Sequence, residues 1–143
     1  MNFSRRDLGL LLPALAAAGA AAQQRQGQTL SSKVYRNDQI PYEGAPRKKG
    51  RQFFHAATHK GFNVEMHETI LGAGTQTHDP HKHEHEEIVI VVEGLVEAYM
   101  DGKTEMAPAG SVICFGSNRM HSARNAGTTP CRYYVVELRG AGA

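Results

Sequence analysis

Five consecutive β-branched residues, Ile88-Val-Ile-Val-Val92, follow directly on a histidine-rich stretch, Pro80-His-Lys-His-Glu-His-Glu-Glu87. Such a run loses side-chain freedom in a helix and packs well on a pleated surface, so it predicts a strand. Four of the eight histidines lie between positions 78 and 85. Imidazoles crowded against a strand are poorly explained by packing alone. They predict a metal site carried by a sheet.

From Gln52 onward the pattern is β throughout. Short runs rich in Val, Ile, Tyr and Phe are separated by turn signals, and no helical period persists. The expected strands lie near 52–57, 62–71, 87–93, 95–100, 103–106, 111–115, 120–125 and 131–138. Asp101-Gly102 is a strong tight-turn signal and Glu93-Gly94 a weaker one. The expectation is an all-β fold, a small antiparallel barrel or sandwich.

Ahead of this domain (52–143) the chain divides in two. Residues 1–22 combine a short basic start with an uncharged Leu/Ala run and Ala20-Ala-Ala22, as an export signal does. Ser4-Arg-Arg-Asp-Leu8 resembles a twin-arginine signal, although Gly9 stands where a bulky apolar residue is usual. The expected location is the periplasm. Residues 23–51, polar and turn-rich, are expected to lie over the domain as an arm, with Val34, Tyr35 and Ile40 as anchors. Cleavage after Ala22 lowers the formal net charge from +2 to +1, so charge suggests neither nucleic acid nor an anionic membrane as partner. Cys114 and Cys131 are open to two readings, a disulfide or two packed thiols.

Strand parity sorts the histidines. His81 and His83 project to one side, Glu87 keeps that parity, and His121 must arrive from another strand. Three imidazoles and a carboxylate form a mixed nitrogen and oxygen set suited to one divalent transition metal: Fe, Mn, Ni, Zn or Cu. Four protein ligands leave two positions of an octahedral ion for water, substrate or dioxygen.

These residues resemble the two cupin signatures. His81, His83, Glu87 and Gly94 fall on the first, with Gly74 one residue upstream of its usual place. Gly110, His121 and Asn125 fall on the second, where Gly116 replaces a proline and Asn118 a glycine. Asn tolerates left-handed backbone, so the turn at 118 is expected to survive. The resemblance covers roughly 70–140 and implies a jelly-roll barrel holding a metal through His81, His83, Glu87 and His121. It also implies a small oxygen-rich substrate or ligand, such as an enediol, catechol, flavonol, oxalate or keto acid. A dioxygenase-like enzyme is the favoured reading, with Glu87 shifting to accept a proton. The alternatives are a non-catalytic binding module and a metal store. Folding before export would load Mn or Fe ahead of periplasmic copper or zinc, so those two ions are favoured.

Other residues complete the expectation. His78 and His85 read as solvated turn residues or neighbours of the ligands, and His55, His59 and His67 as structural or surface positions. Asn125 reads as a turn bridge. On 62–71 one face is Phe62, Val64, Met66, Glu68, Ile70. A carboxylate on an apolar face suggests a catalytic pocket acid if that face is internal. Ile88, Ile90 and Val92 have the opposite parity to Glu87, an outward apolar stripe that predicts a homodimer.

Overall fold

The computed structural model describes residues 29–140. Among these residues nine strands form two antiparallel sheets, the all-β fold that the strand pattern predicts and the jelly roll that the cupin resemblance implies. They are β1 (Glu43–Ala45), β2 (Lys48–Ala57), β3 (Asn63–Leu71), β4 (Glu86–Glu93), β5 (Leu95–Met100), β6 (Lys103–Pro108), β7 (Val112–Phe115), β8 (His121–Asn125) and β9 (Cys131–Arg139). The larger sheet runs β1-β2-β3-β9-β4-β7 and the smaller β6-β5-β8. The core between them is small and branched. Leu71, Val89, Val91, Val96, Ile113, Phe115 and Val135 are buried there. The run 88–92 alternates as a strand with one wet face must. Val89 and Val91 are each 1% exposed, whereas Ile90 on the other face is 38% exposed.

Three turns fix the registers that matter. Asp101 (φ 45°) and Gly102 (φ 88°) both adopt positive φ in a two-residue loop between Met100 and Lys103. Gly94 (φ 79°) reverses the chain between β4 and β5 where a Cβ would lie 2.8 Å from the Cys131 Cβ. Asn118 takes the left-handed conformation (φ 56°), so the turn before His121 survives without its usual glycine.

The N-terminal side differs from expectation. The boundary placed at residue 52 falls inside β2, which starts at Lys48 and pairs with β3 as far as Leu71. Residues 43–45 add a short edge strand at a hairpin that Gly44 and Pro46 permit. Of the expected anchors, Tyr35 packs on Phe54 with ring centroids 5.0 Å apart, but Val34 is 84% exposed and anchors nothing. Residues 37–42 lie against the outer face of β2 and β3. Arg51 donates from Nη1 to Asn37 O at 2.6 Å, and its guanidinium sits 4.2 Å from the Tyr42 ring centroid. Cys114 and Cys131 are both free, with Cys131 buried and Cys114 exposed rather than packed. The export signal at 1–22 lies outside the described residues.

Candidate metal centre

The four expected ligands converge at one end of the barrel, brought there by three elements. The loop before β4 is tied to the start of β8 by a pair of backbone bonds between His81 and His121, at 3.1 and 2.8 Å. That bridge sets the two rings side by side, centroids 4.7 Å apart. Two residues on, the backbone of His83 accepts from Asn118 N at 2.7 Å, which ties it to the left-handed turn. Glu87 projects from the inner face of β4, opposite Phe115 of β7. Ligand nitrogens of His81, His83 and His121 lie within 4.8 Å of one another.

The hydrogen bonds determine which nitrogens are free. His121 Nδ1 lies 2.8 Å from Arg119 O and His83 Nδ1 lies 2.9 Å from His85 O. A carbonyl only accepts, so in both rings Nδ1 carries the proton and Nε2 keeps its lone pair. Those same Nε2 atoms face Glu87 Oε2, at 3.4 Å for His83 and 3.8 Å for His121. His121 Nε2 and His81 Nδ1 are buried without a partner. An unmatched buried polar atom costs about 1–3 kcal/mol, and a cation among these rings would satisfy the His121 Nε2 lone pair beside Glu87. Burial, then the neighbouring rings of His78, His121 and His83, hold the His81 pKa below the ordinary imidazole value. The ring is thereby kept neutral, the form that ligates. The donor set fits one divalent ion.

The donors open onto a cavity of about 470 Å³, the size of a small-molecule site. Phe115, Ala123 and Val135 form its apolar lining, and Phe115 also stacks on the His121 ring at 4.4 Å. Lys48, Glu43 and His78 stand among the exposed lining residues at its mouth.

Glu68 departs from its expected role. It is fully buried, but on the outer face of β3, outside the lining of this cavity. Its carboxylate accepts from Arg51 Nε at 2.5 Å, Arg132 Nη1 at 3.1 Å and the Tyr42 hydroxyl at 3.1 Å. The apolar face of β3 is the one under the N-terminal segment, so the parity that would turn Glu68 inward is reversed. The inner face carries Glu65, His67 and Thr69 instead, because it borders a polar cavity. His67 therefore lines the cavity, which its isolated place in the sequence did not signal. His85 is half-buried rather than solvated. Its ring stacks on His83 at 3.5 Å and its Nε2 lies 3.3 Å from Glu137 Oε2. His78 is exposed, with its ring centroid 4.0 Å from that of His81 in an edge-to-face arrangement. Asn125 is structural: fully buried, it donates to Leu71 O and Thr129 O and accepts from Gly127 N.

Comparison with known proteins agrees with this geometry. Residues 67–137 match the Cupin_2 family model, described as a cupin domain. These residues are therefore similar to a cupin domain. Several solved structures superpose on most of the chain. KdgF from a Halomonas species has a TM-score of 0.65 at 18% identity, covering 76% of this chain and 95% of its own. A protein from Thermotoga maritima titled a predicted oxalate decarboxylase has a TM-score of 0.63 at 23% identity, covering 76% and 100%. The polyketide cyclase RemF from Streptomyces resistomycificus has a TM-score of 0.60 at 20% identity, covering 80% and 83%. At these identities the likeness concerns the fold. No curated protein matches the chain. The segment similar to a cupin domain thus carries a histidine and glutamate cluster able to hold a metal.

Proposed function

We propose that this cupin is a mononuclear metal enzyme acting on a small oxygen-rich substrate by dioxygenase-like chemistry. One observation carries the reading: four donors, two of them buried without a partner, converge where a cavity of about 470 Å³ opens. His81, His83, Glu87 and His121 would hold the ion, with Mn or Fe favoured. When bound, it supplies Lewis-acid polarisation of substrate oxygens and, for those two metals, a one-electron couple. The protein does the rest. The Nδ1 bonds of His83 and His121 fix the ring planes, Phe115 and Val135 give the cavity apolar lining, and Glu87 would take a proton from a bound hydroxyl.

The twin-arginine-like start supports delivery to the periplasm, and the outer sheet face supports a homodimer. There Ile90 pairs with Val112 and Tyr134, and Ile88 with Cys114 and Val136, making a continuous apolar surface on which Val112 is 61% exposed. Oxygen uptake with a panel of catechols and flavonols tests the activity. Turnover lost in His83→Ala and Glu87→Ala supports an enzyme. Binding of the same compounds without oxygen consumption would make the domain a binding module instead.

A further inference from the structure

The inner sheet face carries charge that the four-residue site does not neutralise. Glu65 of β3 pairs with Glu137 of β9, and Glu137 pairs with Glu87 of β4, so three carboxylates stand side by side on neighbouring strands. All three are half-buried. Like charges directly opposite one another destabilise a sheet, and partial burial removes some of the water that would screen them. The cations at hand answer only part of this. Glu87 faces the rings of His83 and His121, and Glu137 Oε2 accepts from Arg139 Nη2 at 2.5 Å. Among the described residues the ion-pair partner of Glu65 is His67, whose Nδ1 lies 3.5 Å from Glu65 Oε1.

Glu65, His67 and Glu137 together make a second donor set. One ligand atom from each lies within 4.8 Å of the others. His67 supplies the observation that points to a ligand. Its Nδ1 is buried and makes no hydrogen bond, so the approach of Glu65 leaves this nitrogen unsatisfied. Such a nitrogen between two carboxylates is matched by a cation. An ion about 2.0–2.2 Å from each donor spans up to about 4.4 Å between two of them, so small side-chain rotations close the set. His67 and Glu137 line the cavity, which gives an ion access and leaves its remaining positions to water. His85 Nε2, 3.3 Å from Glu137 Oε2, stands beside the set. The grouping of His83, His85 and Glu87 shares two residues with the four-residue site, so it cannot fill alongside it.

We propose that Glu65, His67 and Glu137 form a second divalent-cation site, on the same sheet face as the first and weaker than it. The site has three protein donors instead of four, and Arg139 both occupies one of its carboxylates and repels a cation. One imidazole and two carboxylates bind zinc or copper ahead of manganese or iron, so the second ion is zinc or copper. The site fills only with that metal in excess, and it does not hold manganese or iron through stripping and reloading. The inference does not depend on what an ion at the first site does.

Calorimetric titration of metal-free protein with zinc at neutral pH, paired with elemental analysis after equilibrium dialysis, tests it. The wild type is expected to take two equivalents, the second more weakly than the first. Glu65→Gln and His67→Asn each weaken the second event by about tenfold or more and leave the first unchanged. The double variant His83→Ala, Glu87→Ala loses the tighter event and keeps the weaker one. Circular dichroism of the metal-free proteins checks that each is folded, and either single variant suffices if the other is not. A wild type that takes a single equivalent, lost in the double variant, overturns the second site and leaves the four-residue site standing. A second equivalent that persists unweakened in the single variants is zinc on surface histidines, and overturns it as well. A single equivalent lost with Glu65 and kept in the double variant supports this site and overturns the four-residue reading instead.

Discussion

Replacing Glu68 by alanine strands two arginines at the outer face of β3. Arg51 is the more exposed to harm, because its side chain is only 9% accessible and its Nε loses a partner at 2.5 Å. Arg132, 25% accessible, keeps Glu93 at 2.8 Å, and Tyr42 loses the acceptor of its hydroxyl. Breaking a buried pair from one side costs about 3–5 kcal/mol, since the remaining charge is left uncompensated. For a domain of this size about 4 °C of melting temperature goes with each kcal/mol, so the expected drop is about 12–20 °C. The double variant Arg51→Met, Glu68→Leu removes both charges and should recover much of the loss. Differential scanning calorimetry of the three proteins gives the stability, and metal analysis of the same samples gives the site. Metal content should not change, because Glu68 lies outside the cavity. A drop under about 4 °C, or metal lost with Glu68, would refute the assignment of this carboxylate to the structural network.

Three further outcomes follow from the same contacts. Asn125→Ala leaves the Gly127 amide and the Leu71 carbonyl unmatched in a fully buried position, and should cost about 1–3 kcal/mol in urea unfolding without altering metal uptake. Glu substituted at both Ile90 and Val112 should convert a dimer to a monomer by light scattering, whereas a monomeric wild type removes the dimer proposal. Burial holds His81 and His85 below the ordinary imidazole pKa of 6.5, so the unfolded chain binds more protons than the folded one just below that pH. Metal-free protein should therefore lose stability as pH falls from about 6.5, and His81→Asn with His85→Asn should flatten that slope in chemical denaturation.

Most strands were legible because alternation and turn chemistry agree. Asp101-Gly102 demanded positive φ, and the run 88–92 had one face to bury. Ligand spacing was legible through the resemblance to the cupin signatures rather than through strand parity, since Glu87 lies on β4 but His81 and His83 come from the loop before it. The parity of β3 was not. Its apolar face, from Val64 to Ile70, looks internal, yet it is covered by the N-terminal segment from outside. The polar face of Glu65, His67 and Thr69 looks external, yet it borders the cavity. Periodicity reports which face is apolar, and in a barrel with a polar lumen that face need not be the inner one. Hairpin β1–β2 was missed for a related reason. Its polar, exposed residues carry no burial signal, and only Gly44 and Pro46 mark the turn.

The proposed function depends on His81, His83, Glu87 and His121 holding one ion. Elemental analysis of purified protein, stripped and then reloaded with manganese or iron under anaerobic conditions, tests it most directly. The wild type is expected to hold one equivalent per chain, and His121→Ala and Glu87→Ala less than a tenth of that, with both variants still folded by far-ultraviolet circular dichroism. A wild type that retains no metal, or folded variants that retain it in full, would rule out the four-residue site.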